Sequence, residues 1–299
     1  MVSKKAKIIE KLFRVIEDYE SKKKIAKVKH HLLTKNTFLI PNFLRLSAHV
    51  KLIKIDGHRC YIVTPKHATS KRCMYIHGGG FIMQITRPHW TFIHKLMLET
   101  NATIYVPDYP LSTNKYSGAK DSISLLLKIY KLMLDGCNSS NITIMGDSAG
   151  ASLTLILGQQ VKLHKLPAPK NLIALSPVLS LNIDESKSVE MGKHDSVLSA
   201  GLFYVAREWY VPRGANPKDP IYSPYYGDWK DIGLVTLFVG SHESLLVMAN
   251  KWDKNLTKQK IIHNYIIGED MFHVWPIFKL KESKKPLQLI SNLIVGSKS

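Results

Sequence analysis

The stretch Asn141–Gly150, NITIMGDSAG, decides how this chain is read. Its first half is apolar and β-branched, the composition of a buried strand. Its second half is Gly146-Asp147-Ser148-Ala149-Gly150, and a helix-forming run follows. Strand, Gly-x-Ser-x-Gly, helix is the arrangement of a nucleophile elbow. A serine at so tight a turn takes strained backbone angles. A Cβ two residues to either side would collide there, and Gly146 and Gly150 leave those atoms out. Ser148 Oγ is then expected above the carboxyl edge of a sheet. The next helix points its N-terminus, with unpaired N–H groups and partial positive charge, at the place where an oxyanion would form.

A single Gly-x-Ser-x-Gly recurs by chance in a chain with 17 glycines, so the reading needs support elsewhere. Upstream, Arg72–His77 (RCMYIH) reads as a buried strand that ends in His77-Gly78-Gly79-Gly80-Phe81. Three consecutive glycines let the backbone N–H groups turn into a cavity and approach a substrate closely. HGGGF followed by GDSAG resembles the α/β-hydrolase fold, specifically the hormone-sensitive-lipase-like esterases. The resemblance implies an α/β class protein: an eight-stranded, mostly parallel sheet with helices on both faces and a helical cap. It implies that the N–H groups of Gly79, Gly80 and Ala149 form the oxyanion hole. It makes His77 a structural residue of the loop, not a base.

A serine hydroxyl is a poor nucleophile at neutral pH and needs a base, itself oriented by an acid. In this fold the chain order is serine, acid, histidine. Gly233–Gly240 (GLVTLFVG) reads as a buried parallel strand followed by Ser241-His242-Glu243-Ser244-Leu245-Leu246. The resembling family carries its acid here, usually Asp, and Glu243 matches it with one extra methylene. The family often has a second acidic residue a few positions later; Val247-Met248 stand there instead. One helix and one strand further on, after Lys260–Ile267, comes Gly268-Glu269-Asp270-Met271-Phe272-His273, and the resemblance assigns His273 as the base. His242 competes as base and Asp270 as acid, but each lies on the other partner's loop. Asp147 reads as a local hydrogen-bonding residue of the elbow. His30, His31, His58, His67, His164 and His194 lie in basic or polar stretches and read as surface residues, and His263 as a strand residue.

The order of elements predicts strands near Val50–Ile55, Arg59–Val63, Arg72–Ile76, Thr103–Val106, Ile142–Met145, Leu172–Leu175, Leu234–Val239 and Ile261–Ile267. Asp56-Gly57 between the first two is a hairpin signal. Helices are expected at Lys4–Tyr19, Pro88–Glu99, Lys115–Leu134, Ser148–His164, Ser244–Thr257 and Val274–Leu280. By resemblance the chain divides into an N-terminal cap segment (1–47), a first core part (48–181), a cap insertion (182–232) and a second core part (233–299). Phe81, Phe203 and Trp209 are the aromatic candidates for lining an acyl or alcohol pocket.

A chain of 299 residues with 45% hydrophobic content can build one large α/β domain with a full core. No apolar run approaches the ~20 residues of a membrane helix. The lysine-bearing N-terminus has no apolar signal-peptide segment. Three cysteines, Cys60, Cys73 and Cys137, make no disulfide framework. A cytoplasmic location is the expectation. The net charge of +19 is spread along the chain, thickest near the N-terminus, with no nucleic-acid-binding motif beside it. The expected partner is a small-molecule ester, with no nucleic acid, no stable membrane insertion, no cofactor and no metal; the resemblance allows a homodimer. The expected function is hydrolysis of small, short-acyl carboxylic esters through a Ser-His-Glu triad and an acyl-enzyme. An amidase or formamidase with the same triad, or a non-catalytic receptor on the same fold, stand as alternatives.

Overall fold

The computed structural model describes residues 2–11, 39–113, 116–182, 195 and 200–296. Eight strands form one sheet: β1 (Ala48–Ile55), β2 (His58–Pro65), β3 (Arg72–Ile76), β4 (Thr103–Pro107), β5 (Ile142–Asp147), β6 (Asn171–Leu175), β7 (Leu234–Gly240) and β8 (His263–Gly268). Their spatial order is β1-β2-β4-β3-β5-β6-β7-β8. The β1–β2 and β2–β4 pairs are antiparallel, and every other pair is parallel. Asp56 and Gly57 both have left-handed φ, the pairing a two-residue hairpin needs to follow strand twist.

Among the described residues the helices are α1 (residues 4–11), α2 (Asn42–Ser47), α3 (Arg87–Thr100), α4 (Ala119–Leu134), α5 (Ala149–Leu163), α6 (Ala200–Tyr210), α7 (Leu246–Lys258) and α8 (Lys284–Val295). Successive strand side chains point to opposite faces, and the core divides accordingly. Ile144, Leu172, Ala174 and Leu237 pack with α4, α5 and α7. Met145, Ile173, Leu175 and Phe238 pack with α3 and α8. β3, β5 and β6 are covered on both faces, which is why they read as continuous apolar runs rather than alternating ones. Each fully buried Leu or Ile here contributes roughly 1.5–3 kcal/mol.

Two expected helices are corrected. The helix expected from Lys115 begins at Ala119, because Thr113 and Tyr116 pair in an isolated bridge and the Gly118 N–H donates to Ser112 Oγ. Val274–Leu280 is not a helix; only a single 3₁₀ turn, Trp275–Ile277, forms there. Val274 is left-handed before the turn and Phe278 is extended after it, so the turn is not prolonged at either end. The chain is helical instead at α8, where Ile290 and Ile294, four residues apart, are buried. The N-terminal helix is seen over residues 4–11; the rest of Lys4–Tyr19, and His30, His31 and His194, lie outside the described residues.

Register puts the functional loops together. Ile76 pairs with Gly146, Asp147 with Leu175, Leu175 with Phe238, and Gly240 with Gly268. The carboxyl ends of five parallel strands therefore meet at one edge, where the segments that follow β3, β5, β6, β7 and β8 emerge side by side.

Candidate active site

Ser148 stands at the turn between β5 and α5 with φ 51° and ψ −121°, a conformation that costs an ordinary residue about 1–3 kcal/mol. Neighbouring bonds hold it there: its N–H donates to the Leu175 carbonyl at 2.8 Å, and its carbonyl accepts from the Ser152 N–H at 3.1 Å. The flanking glycines are required sterically. A Cβ on Gly146 would lie 2.5 Å from the Ile76 carbonyl oxygen, and one on Gly150 would lie 2.5 Å from that of His77. The space a side chain would fill is thus occupied by the end of β3 as well as by the turn itself.

The expected base and acid, His273 and Glu243, arrive from β8 and β7. His273 Nε2 lies 2.9 Å from Ser148 Oγ, and His273 Nδ1 lies 2.7 Å from Glu243 Oε2. The other carboxylate oxygen, Oε1, accepts from the Gly240 N–H at 2.5 Å and from Ser176 Oγ at 2.6 Å. All three side chains are buried. Burial acts most strongly on the His273 imidazole and by itself would lower its pKa. Glu243, in contact, and Asp195 and Asp147 further off outweigh it, so the pKa lies above the usual 6.5.

The competing residues sit elsewhere. His242 faces Glu10 of α1 at 3.3 Å and Asp270 at 3.7 Å, and Asp270 is exposed. His77 stacks on Tyr109 with ring centroids 4.6 Å apart, and its Nδ1–H donates to the Gly78 carbonyl. Burial lowers its pKa to about 4, so it is neutral at physiological pH and serves to hold its loop. His263 heads the edge strand β8 and bonds Asp253 at 2.9 Å.

Asp147 does more than shape the elbow. Its Oδ1 accepts from Tyr75 OH at 2.7 Å and from the Gly78 N–H at 3.1 Å; its Oδ2 accepts from His89 Nε2 at 3.0 Å. His89 Nδ1 accepts the Thr86 N–H, which leaves Nε2 as the donor. Burial alone would raise the Asp147 pKa, but His89 and Tyr75 hold it below 3.8. One buried carboxylate so ties the nucleophile turn to the first glycine of the loop after β3. Sequence reasoning missed His89, Ser176 and Asp195; their partners are distant in the chain, and none sits in a motif.

Gly79 and Gly80 have φ of 118° and 60°, angles that glycine alone adopts freely. They line a cavity of about 250 Å³ with Ser148 and His273. Its remaining walls are mostly apolar, including Met83, Leu181, Ala206, Ile277 and Phe278. Phe81 and Phe203 line it, and Phe81 is held by stacking on Tyr210. Trp209 does not line it. Phe203 and Ala206, three residues apart, share the face of α6 that looks toward the serine, and Trp209 lies beyond them, against the outer groove that includes Thr113 and Pro212. Among the described residues no three His, Cys, Asp or Glu side chains are arranged to hold a metal ion, and no helix is long and apolar enough to cross a membrane.

Comparison with known proteins agrees with this fold. Residues 73–277 match the alpha/beta hydrolase fold family. An esterase of Acinetobacter venetianus is 26% identical over 245 residues, 81% of this chain and 80% of its own. Human hormone-sensitive lipase is 25% identical over 193 residues, 62% of this chain but only 17% of that much longer one. The crystal structure of a hormone-sensitive lipase from a metagenome library superposes with a TM-score of 0.80 at 22% identity over 97% of both chains, which is a likeness of fold. The chain belongs to the alpha/beta hydrolase fold family. Its activity class is that of a carboxylesterase.

Proposed function

We propose that this chain hydrolyses small, uncharged, short-acyl carboxylic esters through Ser148, His273 and Glu243, by way of an acyl-enzyme. The observation that carries the reading is the unbroken run of hydrogen bonds from Ser148 Oγ through His273 to Glu243, opening onto an apolar cavity. His273 Nε2 takes the Ser148 proton as Oγ attacks the ester carbonyl. Glu243 fixes the tautomer with Nδ1 protonated and stabilises the imidazolium that forms. The N–H groups of Gly79, Gly80 and Ala149 receive the oxyanion; one such donor is worth about 10²–10³-fold in rate. Collapse of the tetrahedral intermediate expels the alcohol, which takes its proton from His273. Water then enters, His273 deprotonates it, and the acid is released with Ser148 restored.

The cavity supports a small substrate. About 250 Å³ is below the ~300–1,000 Å³ common for drug-sized ligands, and its largely apolar wall offers little to pair a charged acyl group. Hydrolysis of p-nitrophenyl esters across acyl lengths tests this. Turnover that peaks at acetate to butyrate and vanishes in Ser148→Ala is the expected result. Faster turnover of anilides than of esters, or none at any length by the folded protein, would move the reading to an amidase or a receptor.

A further inference from the structure

A second, buried carboxylate that the triad description does not use contacts the Glu243 loop. Asp195, from the segment between β6 and β7, is 4% exposed. Its Oδ2 accepts two hydrogen bonds from one residue: the Ser244 N–H at 2.9 Å and Ser244 Oγ at 2.9 Å. Ser244 directly follows Glu243, so whatever fixes Ser244 fixes the backbone that presents the acid to His273. A buried carboxylate is costly unless hydrogen-bonded, and two bonds to a single residue both satisfy it and define where that residue sits. The later acidic position of the family is filled here by Val247-Met248, and a carboxylate reaches the same loop from a different part of the chain.

Resting on the triad reading above, we infer that Asp195 is a positioning residue: through Ser244 it anchors the Glu243 loop from the insertion between β6 and β7 and makes catalysis depend on how that insertion is seated. Asp195 does not line the cavity, so it acts on the triad rather than on the substrate. Three carboxylates act on His273 from three elements: Glu243 after β7, Asp195 from the insertion and Asp147 at the elbow. All three favour the protonated imidazole. Replacing Asp195 by a neutral residue therefore both loosens the loop and makes His273 easier to deprotonate.

The experiment is steady-state kinetics of Asp195→Asn and Ser244→Ala on p-nitrophenyl acetate across the neutral pH range, with melting temperatures and Ser148→Ala alongside. Asp195→Asn is expected to lower kcat by about tenfold with KM little changed, and to move the acid limb of kcat/KM down by about half a pH unit. Ser244→Ala, which keeps the charge, is expected to lower kcat less and leave the limb in place. Wild-type kcat and an unmoved limb in folded Asp195→Asn would overturn the inference, even where its melting temperature falls. If Asp195→Asn does not fold, Ser244→Ala decides: reduced kcat at unchanged KM supports the anchor, and wild-type kcat overturns it. Activity in Ser148→Ala would instead sink the triad reading, so the two failures are distinguishable.

Discussion

Ser176 Oγ donates to Glu243 Oε1 at 2.6 Å and accepts the Val274 N–H at 3.1 Å. One hydroxyl at the end of β6 thus braces Glu243 and the residue after His273 at once. Ser176 is itself held in a left-handed conformation, with its N–H on the Phe238 carbonyl of β7. A hydrogen bond to a charged group contributes about 1.5–3 kcal/mol. Ser176→Ala is therefore expected to lower kcat by about 10–100-fold while the protein stays folded, as steady-state kinetics and circular dichroism would report. An unchanged kcat would mean that Gly240 alone holds the carboxylate.

The pH dependence has a definite sign. The proposed mechanism needs neutral His273, and its pKa lies above 6.5. Activity should rise with pH through a limb placed above 6.5, and a limb at or below that value would contradict the electrostatic picture. Stability runs the other way. A raised histidine pKa stabilises the fold fully at pH values below the unfolded pKa, and that contribution is lost as the pH rises through the folded value. Thermal melts across the same window should show it.

Asp147 makes a separate prediction at acid pH. Its pKa is held below 3.8, so its contribution to stability is present above that value and lost as the pH falls through the folded one. Tyr75→Phe removes one of its three bonds in a fully buried site. The expected cost is about 1–3 kcal/mol at neutral pH, measured by urea denaturation. The deficit should shrink under strongly acidic conditions, where the wild type also loses the carboxylate.

The cavity wall should set acyl preference. Phe203→Ala enlarges the cavity from α6, and Ala206→Phe fills it from the same face. The first is expected to move the best p-nitrophenyl ester to longer chains, and the second to restrict turnover to acetate. An unchanged length profile in both variants would place the acyl group elsewhere.

The legible part of this molecule was what local chemistry demands. A serine in a strained turn needs Gly146 and Gly150, and a loop that offers its backbone needs Gly78–Gly80; both leave glycine signatures beside apolar strands. Glu243 and His273 became visible through the family resemblance, which expects an acid and a base after strands at the same sheet edge. Ser176, Asp195 and His89 left no such mark. Their significance lies in contacts with residues distant in sequence, and no spacing rule registers those. Trp209 was misplaced for a related reason: aromatic character was evident in α6, but the phase of a helix against a pocket is fixed only by its packing. α8 could have been read, since Pro286 stands in its first turn and Leu287, Ile290 and Ile294 keep helical spacing. Val274–Leu280 could not be rejected the same way, because Pro276 stands in its first turn just as Pro286 does in α8, where a missing N–H costs nothing.

The central claim is that Ser148 carries the acyl group. Rapid acid quench of the protein with p-nitrophenyl acetate, followed by peptide mapping by mass spectrometry, tests it most directly. An acetyl group on the peptide containing Ser148, absent from Ser148→Ala, is the expected result. Turnover by Ser148→Ala at the wild-type rate, or acetyl found only on another residue, would contradict the account.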